Sequence, residues 1–360
     1  MAERREERAR VLITGGTGFI GSYLAIDLLE KGKEVVLADR SYDLRRIEGF
    51  KDRYEKVKDR LTFIQGDLSL SEHVHQWFDE FRPQSVYHLG ALLSAGAETN
   101  PTQGFLTDLQ GSWHVLEAAR LQRQRKKSGP VKVIFPSTIA AFGAHIPPEL
   151  KEKVPNEAPQ FPTTMYGDAK LSVERLGDYY HRRRWVDFRA VRFPSVLGAS
   201  RGPGGTTVYC TLMIQQPTLG QAYTVYVKED LRLAILYVKD AVKALTMLHD
   251  AEDGKLGSSD NSVRRVYNIG SITGPDGRPP TAGDIEKTVN EVVGADLIKF
   301  DPDDRMDAIV RGFGILDDSK ARQEWGWKGD YTDDLRKVVE DFAKEVKKYP
   351  DRLQRLELFG

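Results

Sequence analysis

Short apolar runs alternate along the first half of the chain with longer stretches whose apolar positions recur every three or four residues. The runs are RVLIT (10–14), EVVLA (34–38), LTFIQ (61–65), SVYHL (85–89), VKVIF (131–135) and DFRAVRF (187–193). They are rich in β-branched and aromatic residues and too short for helices, so they predict strands. Between them, Ile20, Leu24 and Leu28 recur at four-residue spacing, and Trp113, Leu116 and Ala119 at three. That is the period of one helix face. Strand, helix and strand at this rhythm predict βαβ units, and right-handed crossovers then give a doubly wound parallel α/β sheet.

After residue 195 the rhythm breaks. Residues 198–207 are glycine-rich, and 251–262 (AEDGKLGSSDNS) and 274–280 (GPDGRPP) have loop composition. VYNIG (266–270) predicts one more strand, TAGDIEKTVNEVV opens a helix, and DLRKVVEDFAKEVKKY is an amphipathic helix near the end. The expected organisation is a dinucleotide-binding sheet domain over 1–195, with 234–272 returning to it. A smaller C-terminal α/β substrate lobe takes 196–233 and 273–360.

Charge and composition narrow the class by exclusion. Lys plus Arg and Asp plus Glu are 53 each, so no net field draws the chain to nucleic acid or an anionic membrane. The basic clusters RQRKK (123–127) and HRRRW (181–185) fall at predicted helix C-termini, where cations are favoured. The single cysteine, Cys210, excludes an intrachain disulfide. The start, MAERREERAR, has no apolar core for a secretory signal, and no apolar run is long enough to span a bilayer. A cytoplasmic protein without nucleic-acid or membrane partners is expected. HVH (73–75) lacks further ligands at metal spacing, so no metal site is expected.

The first strand leads straight into TGGTGFIG, with glycines at 15, 18 and 21. This spacing gives a tight turn, close approach of the backbone to a pyrophosphate, and close packing of helix on strand. The helix N-terminus then offers free N–H groups to the phosphates. Asp39 closes the second strand 18 residues after Gly21, where a carboxylate can accept from both ribose hydroxyls and repels a 2′-phosphate. That favours NAD over NADP, although Arg40 follows it. Asp67, after the third strand, is placed either to meet the adenine amino group or to cap the next helix.

Tyr166 and Lys170 in MYGDAK are four apart and so project from one helix face. A phenol is a poor base near neutrality, and lowering its pKa by about 3 units takes roughly 4 kcal/mol. A lysine ammonium and an oxidised nicotinamide nearby are expected to favour the phenolate, and one partly desolvated cation pair could supply this. Thr138, at the end of the fifth strand segment, is placed to hold a substrate oxygen for proton transfer.

With the glycine turn, Asp39, Thr138, Tyr166 and Lys170 in this order, the chain resembles the extended short-chain dehydrogenase/reductase superfamily, which includes nucleotide-sugar epimerases. The resemblance implies a Rossmann sheet with a smaller C-terminal lobe. It also implies a homodimer through helices near 105–122 and 166–182. Its cofactor-contacting positions here are Gly15, Gly18, Phe19, Ile20, Gly21, Asp39, Arg40, Asp67, Leu68, Leu89, Gly90, Ala91, Pro136, Tyr166, Lys170, Phe193 and Ser195. Six segments, YHLGALLSAGAETNP, PSTIAAFG, TMYGDAK, GPGGTTVY, DLRLAILYVKDA and LDDSKARQEWGWKGDY, are similar to the epimerase-type L-threonine 3-dehydrogenases. That resemblance implies that Ser94, Thr138, Tyr166 and Thr206 or Thr207 contact threonine, with Arg232 also facing the substrate. On the residues alone, Ser94 could instead cap a turn, and Arg232 could form a structural pair with Asp240.

The chain also departs from these patterns. Ser195, after Pro194, stands where the sugar-nucleotide branch has asparagine, and Ile139 and Ala140 stand where dehydratases carry acids. Val208 replaces an aspartate of the threonine dehydrogenases. Their segments at 233–236 and 313–316 differ too, Gly90 replaces an alanine, and Asp108 replaces an asparagine. The expected activity is NAD-dependent oxidation of the 3-hydroxyl of L-threonine or a closely related small hydroxy compound. A UDP-sugar 4-epimerase with retained NAD is the alternative, and a non-catalytic NAD-binding regulator is a third.

Overall fold

The computed structural model describes residues 10–126, 129–202, 204–259 and 264–353. The expectation about the N-terminal segment, and Lys127 of the first basic cluster, lie outside the described residues. Eleven strands are present among these residues: β1 Arg10–Thr14, β2 Glu34–Asp39, β3 Leu61–Gln65, β4 Ser85–His88, β5 Lys132–Thr138, β6 Asp187–Phe193, β7 Ser195–Leu197, β8 Tyr223–Val225, β9 Ile235–Tyr237, β10 Val266–Asn268 and β11 Ile298–Phe300. Seven form one parallel sheet in the order β10-β6-β5-β4-β1-β2-β3. The direction of winding reverses between β1 and β4. A parallel sheet opens a crevice outside its strand C-termini at such a point.

Both faces of the sheet are covered, so most strand positions are buried on both sides, the edge strand β3 excepted. Val11, Ile13, Val35 and Leu37 face one side, where they pack with helices α1 (Phe19–Glu30) and α5 (Val238–Asp250). Leu12, Val36, Val133 and Phe135 face the other, against α2 (Ser71–Phe81), α3 (Gly111–Lys126) and α4 (Met165–Arg182). β5 runs three residues beyond the apolar run expected at 131–135. Pro136 is tolerated there because β4 pairs with β5 only as far as Ile134, while β6 continues to Thr138.

β10 adds to the free edge of β6, so the chain returns to the sheet after an excursion. β7 pairs with β9, and β8 with β11. A capping box of Thr281 and Asp284 starts the helix Ala282–Val293. The last long helix, Leu335–Lys348, packs on the helices Tyr209–Thr218 and Ala282–Val293 and also reaches the sheet domain. Glu345 accepts from Tyr23 of α1 and pairs with Arg352, whose guanidinium stacks 3.6 Å from the Phe50 ring centroid. Among the described residues no helix is long and apolar enough to cross a membrane.

Candidate active site

The expected residues gather at the carboxyl ends of the strands. After β1, Gly15 takes a φ of +64°, and a Cβ on it would lie 2.7 Å from Gly90 after β4. A Cβ on Gly21 would lie 2.6 Å from the Gly15 carbonyl oxygen. These two positions therefore require glycine, the first for the turn and the second for seating α1 on it. Gly18 is the N-cap of α1 and gives no side-chain cap, so the first amides of the helix, on Phe19, Ile20 and Gly21, are left for a ligand. Asp39 Oδ2 accepts from Thr17 N at 3.1 Å and Thr17 Oγ1 at 2.7 Å, and its Oδ1 accepts from Arg40 N at 2.8 Å. The glycine turn and the Asp39 carboxylate are thus locked together at one side of the crevice. The Arg40 side chain is exposed.

The floor of the crevice is a buried polar seam. His88 Nδ1 lies 2.7 Å from Thr14 Oγ1, its Nε2 lies 2.8 Å from Ser112 Oγ, and Gly90 N donates to Thr14 Oγ1. Burial, aided by Lys170, pushes the His88 imidazole down to about 3, so it stays neutral. Leu89 and Ala91 are half-buried along this edge, and Leu68 packs its side chain toward Gly90. Asp67 is not the helix cap: its Oδ1 takes Ser69 N and Oγ in a local turn, and Leu70 holds the cap position of α2. His73 accepts from Asp67 N, and His75 bonds the Ser71 carbonyl.

Thr138 ends β5 and caps the following turn by accepting from Ala140 N at 3.1 Å. Its hydroxyl hydrogen remains available to donate. Tyr166 and Lys170 share one face of α4, with Nζ 5.6 Å from the Tyr166 ring centroid. Nζ donates to the Pro136 carbonyl at 3.0 Å and lies 4.4 Å from the Phe135 ring centroid. Burial pushes the Lys170 ammonium down to about 8, against Asp108 and Glu174, which favour its charge.

The protein's own groups do not by themselves lower the Tyr166 pKa; the nicotinamide charge that shares in the expectation is not among them. Burial raises that phenol well above its usual range, and the Asp108 carboxylate adds to the effect. Asp108 lies in a π-helical turn, Phe105–Gln110, just before α3. Its Oδ1 accepts from Leu92 N at 2.6 Å, while Oδ2 is buried without a partner. Burial pushes its carboxyl up to about 6.

One turn further along α4, Glu174 forms a fully buried pair with Arg192 of β6, at 2.6 Å. It also accepts from Ser137. Arg192 continues to the Asn156 carbonyl and stacks over Phe142. Sequence reasoning missed this pair. The signals were a glutamate four residues after Lys170 on the same helix face, and an arginine inside an otherwise apolar strand.

The remaining expected residues divide. Phe193 is buried beside Thr138 in register. Ser195 Oγ lies 2.6 Å from Thr207 Oγ1, and Arg201 donates to both hydroxyls. The Thr206 carbonyl accepts from Tyr226. Ser94 is half-buried in the first turn of a short helix, Ser94–Thr99, whose N-cap is Leu93, so it is not a cap itself. Arg232 does not pair with Asp240. It binds Asp276 at 2.8 Å and the Pro279 carbonyl, while Asp240 accepts from the amides of Asp330 and Tyr331.

The residues around the glycine turn fit a dinucleotide, and those around Tyr166 fit proton transfer at an alcohol. Comparisons with known proteins agree. Residues 11–270 match the model of the NAD dependent epimerase/dehydratase family. Mitochondrial L-threonine 3-dehydrogenase of Bos taurus is 30% identical over 336 residues, 92% of this chain and 81% of the relative. The holo GalE-like L-threonine dehydrogenase of Cupriavidus necator superposes with a TM-score of 0.79 at 30% identity, covering 94% of this chain and 99% of that one. UDP-glucose 4-epimerase of Thermotoga maritima, with UDP-glucose, shares the fold at a TM-score of 0.75, with 24% identity over 94% of this chain and 99% of that one.

Proposed function

This chain belongs to the NAD dependent epimerase/dehydratase family, and from that premise we propose that it uses NAD to oxidise the 3-hydroxyl of L-threonine or a closely related small hydroxy compound. The observation that carries the reading is Lys170 beside Tyr166 and bonded to the end of β5 that carries Thr138, on a chain similar to threonine dehydrogenases over nearly its whole length. The enzyme is a nicotinamide-dependent oxidoreductase of the extended short-chain type. The choice of NAD rests on Asp39, whose carboxylate repels a 2′-phosphate and can accept from a ribose hydroxyl.

The turn at Gly15, Gly18 and Gly21 and the first amides of α1 would hold the pyrophosphate, and Asp39 the adenosine ribose. When bound, the oxidised nicotinamide supplies the hydride acceptor and a positive charge near the phenol. Thr138 donates its hydroxyl hydrogen to the substrate oxygen and fixes it. Tyr166 takes the hydroxyl proton as phenolate. Burial opposes that phenolate, so Lys170 and the cofactor's charge have to outweigh desolvation and Asp108 together. Glu174 works one step back by favouring the charged form of Lys170. With threonine the product is 2-amino-3-oxobutyrate.

Assembly enters the reading as well. Phe105 at the start of the π-helical turn, Trp113 on α3 and Tyr179 on α4 are exposed. Large aromatics left in water on two neighbouring helices support pairing of two copies through this face.

The test combines purified protein with NAD or NADP and a panel of threonine, other 3-hydroxy compounds and UDP-sugars, following reduced nicotinamide optically. Threonine or a small 3-hydroxy analogue should give a signal with NAD. Tyr166→Phe should lose at least about a thousandfold of turnover and still bind cofactor. Unchanged turnover in that variant would remove the assigned chemistry.

A further inference from the structure

The segment between β7 and the helix Tyr209–Thr218 holds a cation whose partners are all neutral. Its base is fixed. Ser200 is buried with a φ of +68°, its carbonyl accepts from Arg46 Nε at 3.2 Å, and its hydroxyl accepts from Arg352 Nη2 at 3.3 Å. From this base Arg201 folds back across the loop. Its Nη1 donates to the Val196 carbonyl at 2.8 Å and to Ser195 Oγ at 3.3 Å, and its Nη2 donates to Thr207 Oγ1 at 3.2 Å. Arg192, Arg232 and Arg352 all pair with carboxylates. Among the described residues Arg201 has none, and its Nε and second Nη2 hydrogen make no hydrogen bond. Arg201 is half-buried.

The loop lies within reach of the strand end that carries Thr138. Phe193 is the register partner of Thr138 on the neighbouring strand. Adjacent strands are about 4.8 Å apart and two residues span at most about 7 Å, so Ser195 stands within about 12 Å of Thr138, backbone to backbone. At the other side, a Cβ on Gly198 would touch the Phe19 ring at 3.0 Å, at the head of α1. The loop therefore bridges the cofactor cradle and the strand end that carries Thr138. Thr207, expected to contact substrate directly, is engaged in holding the guanidinium together with Ser195. The next side chain, Val208, is apolar and buried.

We propose that Arg201 is the specificity residue that receives the carboxylate of a small 3-hydroxy acid, with Ser195 and Thr207 positioning its guanidinium. A planar fork with two unused N–H groups matches a carboxylate in a bidentate pair. The groups bonded to the fork are a carbonyl and two hydroxyls, with no carboxylate among them to balance a substrate ammonium. The 2-amino group of threonine therefore adds nothing at this end, and the plain 3-hydroxy acid is taken at least as well as the amino acid. This deepens the oxidation reading above and rests on it.

The experiment uses the full chain with NAD and a matched set: L-threonine, 3-hydroxybutyrate, 3-hydroxybutyramide and UDP-glucose. Turnover is read as reduced nicotinamide, and binding of 3-hydroxybutyrate and of UDP-glucose to the protein with NADH is read by calorimetry. The wild type should prefer the acid to its amide, and Arg201→Gln should shrink that preference roughly 10- to 100-fold, mainly through KM. Arg201→Lys should recover part of it. Equal losses on acid and amide in Arg201→Gln would assign the side chain to loop structure and overturn the proposal while leaving the oxidation reading in place. If no small hydroxy compound turns over but 3-hydroxybutyrate binds with Arg201-dependent affinity, the carboxylate site stands and the oxidation reading falls. Loss of UDP-glucose binding alone in Arg201→Gln would show that the anion is a phosphate, and the carboxylate assignment would be wrong.

Discussion

At the scale of single residues, Asp108 changes the chemistry most. A carboxylate buried near Lys170 and Tyr166 stabilises the lysine's charge and opposes the phenolate. The two effects differ in sign, so replacing Asp108 by asparagine has a readable outcome. Without the negative neighbour the Tyr166 phenolate forms at lower pH, and the rising limb of kcat/KM against pH should move toward acid. Lys170 should lose its proton earlier as well, narrowing the active range from the alkaline side. A profile of Asp108→Asn that keeps both limbs in place would show that the carboxylate is electrostatically silent. The fate of the Tyr166 proton could not be read from the sequence. Spacing put the tyrosine and lysine on one face, but only burial shows that desolvation outweighs what the ammonium alone can do.

At the scale of elements, the alternation of apolar runs and helical periods located the strands of the sheet to within three residues, because all but the edge strand β3 are largely buried on both faces. The glycine turn was legible for a related reason: Gly15 needs positive φ and Gly21 has no room for a side chain, so these residue types are forced. What escaped were polar contacts between elements distant in sequence. Thr14, His88 and Ser112 come from three separate elements, and Glu174 meets Arg192 across 18 residues. Such pairs have no local period. The Glu174–Arg192 pair pins α4, and with it Tyr166 and Lys170, to β6, next to the edge strand β10. Glu174→Ala leaves a buried guanidinium unpaired, so unfolding in urea should show a loss of roughly 3–5 kcal/mol. A loss under about 1 kcal/mol would mean that the pair contributes specificity rather than stability.

At the scale of the whole molecule, the last helix and Arg352 meet α1, Phe50 and Ser200, so the loop that carries Arg201 is braced by residues about 150 positions further along the sequence. Composition gave no hint of this. The proposed dimer face belongs to the same scale. Trp113→Glu combined with Tyr179→Glu should turn a dimer into a monomer by sedimentation equilibrium without loss of helical signal. A wild type that sediments as a monomer at micromolar concentration would contradict the pairing.

The central claim is oxidation of a small 3-hydroxy compound by a chain that shares its fold with UDP-glucose 4-epimerase. It is tested most directly by following a label. Threonine and 3-hydroxybutyrate deuterated at C3 are incubated separately with the protein and NAD, in parallel with UDP-glucose. The account predicts one deuterium on the reduced nicotinamide for each 3-oxo product formed, from at least one of the two acids. Interconversion of UDP-glucose and UDP-galactose without net reduced cofactor, and with no label transfer from either acid, would contradict it.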